Sequence, residues 1–83
     1  MLIKQNTLIL EYYLSMNIGD NIKQLRKINN LSQKEFACKM DTTQQRVSEW
    51  ECGKVEPSLF NIIKMIKVLN TTFDDLVEGI EEK

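Results

Sequence analysis

The chain predicts an all-α domain of five short helices with no strand. Three observations lead there. Apolar residues recur at spacings of three and four from Ile18 onward, the period of a helix that packs by one face. Start signals precede the runs, at Ser32, Thr42, Pro57 with Ser58, and Thr72. Residues that tolerate a left-handed backbone, Asn30, Asp41 and Gly53, stand where three of the runs must stop. With 83 residues the chain makes one domain. A chain of this size buries only about 60% of the surface exposed when unfolded, which leaves little spare surface for an enzyme cleft.

The expected helices cover residues 18–29, 33–40, 43–52, 59–69 and 73–78. In the first, Ile18, Ile22 and Leu25 share the inward face, and Leu31 plugs the core after the Asn29–Asn30 stop. Ser32 with Glu35 has the form of a capping box at the start of the second. Phe36, Ala37 and Met40 line one side of that helix, with Ala37 where the next helix crosses most closely. Asp41 makes the corner. Thr42 with Gln45 repeats the capping-box spacing, and Val47 and Trp50 point inward from the third helix, which Gly53 closes. Trp50 could serve as a stacking residue, but its spacing of three from Val47 places it in the core. The fourth helix carries Leu59, Ile62, Ile63, Ile66 and Leu69 and is expected to be the central buried one. Asn70 breaks the pattern, Thr72 with Asp75 caps the last helix, and Phe73, Leu76 and Val77 pack from it, Phe73 into the core. The acidic tail, residues 80–83, should fray.

Eleven Lys and Arg against twelve Asp and Glu give a net charge of −1, which is no global signature of a nucleic-acid binder. The distribution says more. Lys23, Arg26, Lys27, Lys34, Lys39, Arg46 and Lys54 gather around the central helix pair, whereas the end of the chain is mostly acidic. There is no His, no Gly-rich phosphate loop and no paired-carboxylate pattern in a cleft-forming context, so no catalytic residue is assigned and an enzyme is not expected. Cys38 and Cys52 without His match no zinc spacing, so neither metal nor cofactor is expected, and the thiols read as reduced. A redox-sensing disulfide is the sharper alternative.

Two short helices around a tight corner, with a small residue at their crossing, make a helix-turn-helix. The segment from Leu31 to Lys54 resembles the DNA-binding core of Cro and cI-type repressors, on Gln33 opening the first helix of the pair, Ala37 within it, T-T-Q-Q across the turn, Val47 and Trp50 inward, and E-C-G-K at the exit. The family usually carries Gly at the corner, where this chain has Asp41. The resemblance runs from about Ile18 to Gly79 and implies a five-helix lambda-repressor-like fold. It also implies that Arg26 and Glu51 meet, with Arg26 close to the DNA backbone. Residues 16–79 are then the DNA-binding domain.

In this architecture the start of the second helix of the pair enters the major groove. A glutamine pair on an arbitrary helix would be a solvated face, but here Gln44 and Gln45 are assigned to base contact. A Gln amide offers one donor and one acceptor at the spacing of adenine N6 and N7. Ser48 and Glu49 follow one turn on, Glu49 suited to accept from cytosine N4, and Arg46 reaches a guanine or the backbone. Backbone contacts are assigned to Gln33, Lys34, Arg26, Thr43 and Lys54, and structural roles to Ala37, Val47, Trp50 and Glu51. The expected partner is double-stranded DNA, bound by a homodimer, and the resemblance implies a dimer surface around Leu69 to Phe73.

The first fifteen residues lie outside this pattern. Their apolar run is interrupted by Glu11 and has neither a basic leader nor a cleavage site, and it is too short to span a membrane. Either translation starts at Met16 or residues 1–15 form an accessory helix with Leu10, Tyr13 and Leu14 on one face; residues 1–6 are expected to be weakly ordered. The expected function is a cytoplasmic, sequence-specific repressor. The alternatives are the antitoxin of a toxin–antitoxin pair, with a toxin as partner of the acidic tail, and a protein–protein adaptor.

Overall fold

A computed structural model describes residues 18–80, and within them the fold is all helical. The two readings of residues 1–15, and most of the expected frayed tail, lie outside the described residues. Helix α1 covers residues 18–28, followed by α2 (Gln33–Lys39), α3 (Gln44–Glu51), α4 (Leu59–Val68) and α5 (Phe73–Leu76). All five expected helices are present, the last two residues shorter than predicted.

The helix ends share one construction. Asn30, Asp41, Gly53 and Asn70 all have positive φ, at 59°, 57°, 81° and 52°. At each, the following N–H reaches back into the last turn: Leu31 to the Arg26 carbonyl, Thr42 to Ala37, Lys54 to Glu49 and Thr71 to Ile66. This is the Schellman arrangement, which satisfies carbonyls that a helix end would otherwise leave without partners. The starts are equally uniform. Ser32, Thr43, Ser58 and Thr72 each accept from the backbone N–H three residues on. Thr43, not the expected Thr42, caps α3, because the Thr42 N–H is committed to closing α2 and Thr42 belongs to the preceding turn. The Ser32–Glu35 capping box forms as expected. The Ser32 backbone N–H, together with its hydroxyl, holds the Glu35 carboxyl below its usual range.

The core is Ile22, Phe36, Ala37, Met40, Val47, Trp50, Met65, Leu69 and Leu76, with Ile18, Leu25, Leu31, Ile62 and Ile66 packed against it. Trp50 is buried, as its spacing predicted, but its Nε1–H has no acceptor among the described residues. Such an orphan costs about 1–3 kcal/mol, which burial of the ring must outweigh. Helix α4 departs from expectation. Leu59 and Ile63 are 69% and 45% exposed, whereas Met65, which was not assigned to the core, is fully buried. The inward stripe is centred on Ile62, Met65, Ile66 and Leu69, and at 100° per residue Ile63 lies well to one side of it. Leu59 is the first helical residue and projects past the edge of the core. Phe73 is likewise 51% exposed and not core, since it opens a helix of four residues whose inward position belongs to Leu76.

Helix α1 straps the other end of the domain. The Asn29 Nδ2 donates to the carbonyls of Leu25 and Leu69, and the Asn21 Nδ2 donates to those of Leu76 and Glu78. Asn21 of α1 and Asn29 just past its end thereby satisfy carbonyls at the C-terminal ends of α4 and α5. At Gly19 α1 crosses the end of α3, and an added Cβ there would lie 2.6 Å from the carbonyl oxygens of Trp50 and Glu51. Only glycine fits there.

Candidate nucleic-acid interface

Helix α3 has one inward side and one free side. Val47, Trp50 and Glu51 are buried, while Gln44, Gln45, Arg46 and Ser48 are exposed and Glu49 is half-buried. This split follows from the sequence: the apolar residues at spacing three fix the rotation of the helix, and every other side chain must then face outward or flank the seam. All five residues assigned to base contact are therefore on the accessible part of α3. Gln45 and Arg46 are linked through Glu49, whose carboxylate accepts from the Gln45 Nε2 at 3.4 Å and lies 3.3 Å from the Arg46 Nε in an ion pair.

The orientation of α3 is held at both ends. At the corner, Asp41 occupies the left-handed position and its carboxylate accepts from the Lys64 Nζ at 2.7 Å, tying the turn to α4. Lys64 holds the Asp41 carboxyl below its usual value, first through that hydrogen bond and then through charge. At the open end, Glu51 accepts from Arg26 through two bonds, from Nε at 2.6 Å and from Nη2 at 3.1 Å. The Arg26 Nη1 donates to the Leu31 carbonyl at 2.8 Å. Gln33, at the start of α2, adds its Nε2 to the Glu51 Oε1 at 3.1 Å. Three helices meet at this one carboxylate.

The expected meeting of Arg26 and Glu51 is therefore present, and it is buried: the side chains are 9% and 4% exposed. Charged partners so far from water require this degree of mutual satisfaction to be tolerated. Burial sets Arg26 apart from the other residues assigned to the DNA backbone, because its guanidinium is committed to Glu51 and Leu31. Gln33 is half-buried and shares its amide with Glu51, whereas Lys34, Thr43 and Lys54 are exposed around α3. Lys23, with Asp20, Gln33, Ser48, Glu51 and Cys52, lines a shallow recess between α1 and α3. Cys38 and Cys52 are free and exposed. Sequence reasoning missed Gly19, Asn21 and Asn29, which position this assembly without touching its free face. Their roles depend on which helices cross, and no local pattern reports that.

The sequence matches the helix-turn-helix family HTH_3 over residues 22–76. It is 34% identical over 71 residues to the control protein C.MunI of a Mycoplasma species, covering 84% of this chain and 96% of that one. It is 30% identical over 66 residues to the HTH-type transcriptional activator BcrR of Enterococcus faecalis, covering 80% of this chain but only 32% of that protein, so it spans about a third of that relative's length. The fold is similar to the crystal structure of the restriction-modification controller protein C.AhdI from Aeromonas hydrophila. There the TM-score is 0.74 at 28% identity, over 78% of this chain and 98% of that one.

Proposed function

Because this chain belongs to the Cro/C1-type helix-turn-helix family of transcriptional regulators, we propose that it is a sequence-specific DNA-binding repressor that acts as a homodimer on a palindromic operator. The observation that carries the proposal is the free side of α3, where Gln44, Gln45, Arg46 and Ser48 stand in solvent on a helix fixed by a buried three-helix ion-pair cluster. A rigid helix presenting amides, a hydroxyl and a guanidinium is the donor and acceptor set that reads base edges in the major groove. Lys34, Lys54 and Thr43 flank it and supply the contacts to phosphate that set register without reading sequence. Repression needs no chemistry, since a bound dimer occludes the promoter.

The dimer surface of this proposal consists of the apolar side chains of α4 and α5 that the fold leaves in water. Leu59, Phe60 and Ile63 of α4 and Phe73 of α5 are 69%, 84%, 45% and 51% exposed. Leu69, at one end of the sequence-based assignment, is fully buried and belongs to the core, so the surface shifts toward the start of α4. A second copy would bring two recognition helices to half-sites about 34–36 Å apart.

A narrower reading, that the chain is the controller of a restriction-modification system, is supported by its nearly complete coverage of C.MunI and C.AhdI. The test of the common core is binding to a duplex selected from a random pool, read by fluorescence anisotropy at two salt concentrations. Gln44→Ala should cost about 1–3 kcal/mol on the selected duplex and much less on a scrambled one. Lys54→Ala should weaken both alike and lower the salt slope by about one. Equal losses for Gln44→Ala on both duplexes would remove Gln44 from base reading.

A further inference from the structure

On the outer face of α3 the polar side chains are not independent. Glu49 is the one acidic residue there, because Glu51 is turned inward to Arg26. Its side chain is 18% exposed, against 51% for Arg46, so the carboxylate lies low on the helix while the guanidinium continues outward. It forms an ion pair with the Arg46 Nε, 3.3 Å away and one turn back, and accepts from the Gln45 Nε2. An ion pair on the Nε side leaves the terminal N–H groups of Arg46 as a planar fork, the geometry that pairs with the O6 and N7 of guanine. A carboxylate already engaged by two side chains of its own helix is poorly placed to accept from a base as well.

We infer that Glu49 is a positioning residue for sequence reading: it aims Arg46 at base edges and offsets the charge that would otherwise draw that arginine to any phosphate. The inference rests on the proposal that α3 reads DNA. Two effects are separable. Orientation needs an acceptor oxygen at position 49, whereas the offset needs the negative charge. Without the acceptor, Arg46 is a long flexible cation beside a polyanion, and its attraction to phosphate is independent of sequence.

The experiment compares the wild type with E49A, E49Q, R46A and the double variant R46A/E49A on the selected and scrambled duplexes. E49A should lower the preference for the selected duplex by about tenfold, the size of one lost base contact, mainly through tighter scrambled binding with a salt slope steeper by about one. E49Q keeps an acceptor oxygen without charge, so its salt slope should steepen while the preference is largely kept. In the R46A background, E49A should leave the preference unchanged. If it lowers the preference by the same factor there, Glu49 contacts a base itself and the inference fails. An unchanged preference in E49A with Arg46 present also overturns it. In the free protein, the Arg46 Nε–Hε resonance should shift in E49A, and no shift would show that the pair does not form. If that resonance reports the pair but the wild type binds all duplexes alike, the DNA-reading proposal falls and takes this inference with it. A selective wild type whose preference ignores position 49 removes the inference alone.

Discussion

In α2 and α3 the large apolar side chains Phe36, Val47 and Trp50 are all buried, whereas in α4 and α5 Leu59, Phe60, Ile63 and Phe73 stand in solvent. The two helix pairs use the same capping and the same left-handed stops, so local structure does not separate them. What separates them is how many apolar faces each helix carries. Helix α3 has one, and its remaining positions are polar. Helix α4 has a second apolar side that no described residue covers. The helix-turn-helix pair is therefore complete among the described residues, whereas the α4–α5 pair leaves an apolar surface unfinished among them, the surface that the proposed dimer would cover.

The largest expected effect breaks the completed half. Glu51 joins α1, α2 and α3, and removing it leaves the Arg26 guanidinium buried without a countercharge. Glu51→Ala should cost about 3–5 kcal/mol, and Arg26→Ala a similar amount, against about 0–1 kcal/mol for an exposed pair. Thermal melts of both variants and of the double variant measure this. The two losses should be strongly non-additive, because either one already breaks the pair. An unchanged melting temperature for both would mean that the cluster contributes nothing to stability.

The unfinished half should respond in the opposite way. Phe60 is 84% exposed, so Phe60→Ala should leave the stability of a single copy within about 0.5 kcal/mol. If a second copy covers it, self-association should weaken by about 1.5–3 kcal/mol for each copy, the value of burying a large apolar side chain. Sedimentation of the DNA complex reads this directly. A wild-type complex holding one chain per operator would sink the proposed dimer, and an unaffected dimer in the variant would move the interface elsewhere.

Much of the completed half was legible in the sequence because its signals are local. Ser32 with Glu35, Asp41 at the corner, Gly53 at the exit and the Val47–Trp50 spacing each report their own backbone or rotation. The residue after the corner illustrates the limit. Thr42 carries a good cap signal, but the Schellman turn after α2 uses its N–H, and the cap passes to Thr43. In α4 the sequence shows apolar residues on more than one side, and periodicity alone does not say which side the core will take. Met65 rather than Ile63 wins because the stripe through Ile62, Ile66 and Leu69 is the one that meets α1, α2 and α3 around the common core. The free side of α3 was readable for the converse reason, since a helix with one apolar stripe leaves no choice about what faces outward.

Gly19 sharpens the comparison, since it fixes the completed half by a contact that the α4–α5 pair has no counterpart for among the described residues. An alanine Cβ at this position would press on two backbone carbonyls, which cannot swing aside as a flexible side chain could. Gly19→Ala should destabilise by about 1–3 kcal/mol, as overpacking does, even though alanine is otherwise the better helix former. Chemical denaturation checks this, and a stabilised variant would show that the crossing of α1 and α3 is looser than the geometry indicates.

The smallest effect concerns the charged link between the two halves. Asp41 lies in the helix-turn-helix corner and Lys64 on α4, and the carboxyl is held below its usual value by that partner; Glu35 is held down within the first half by Ser32. Because both folded values are lowered, each contribution is fully present above the unfolded carboxylate range, about pH 4, and is lost as the pH falls through the folded value. Both carboxylates are exposed, so the contribution is small. Asp41→Asn retains a residue that accepts the left-handed corner while removing the charge, and Glu35→Gln keeps a side chain that can close the capping box. In urea titrations from pH 5 to about pH 2, the double variant should lose less stability than the wild type over the acid range and differ little from it at pH 7. If Asp41→Asn alone flattens that limb, the link between the halves carries most of the acid sensitivity; if Glu35→Gln alone does, the capping box carries it. A limb identical to the wild type in both variants would show that neither carboxyl is held down by folding.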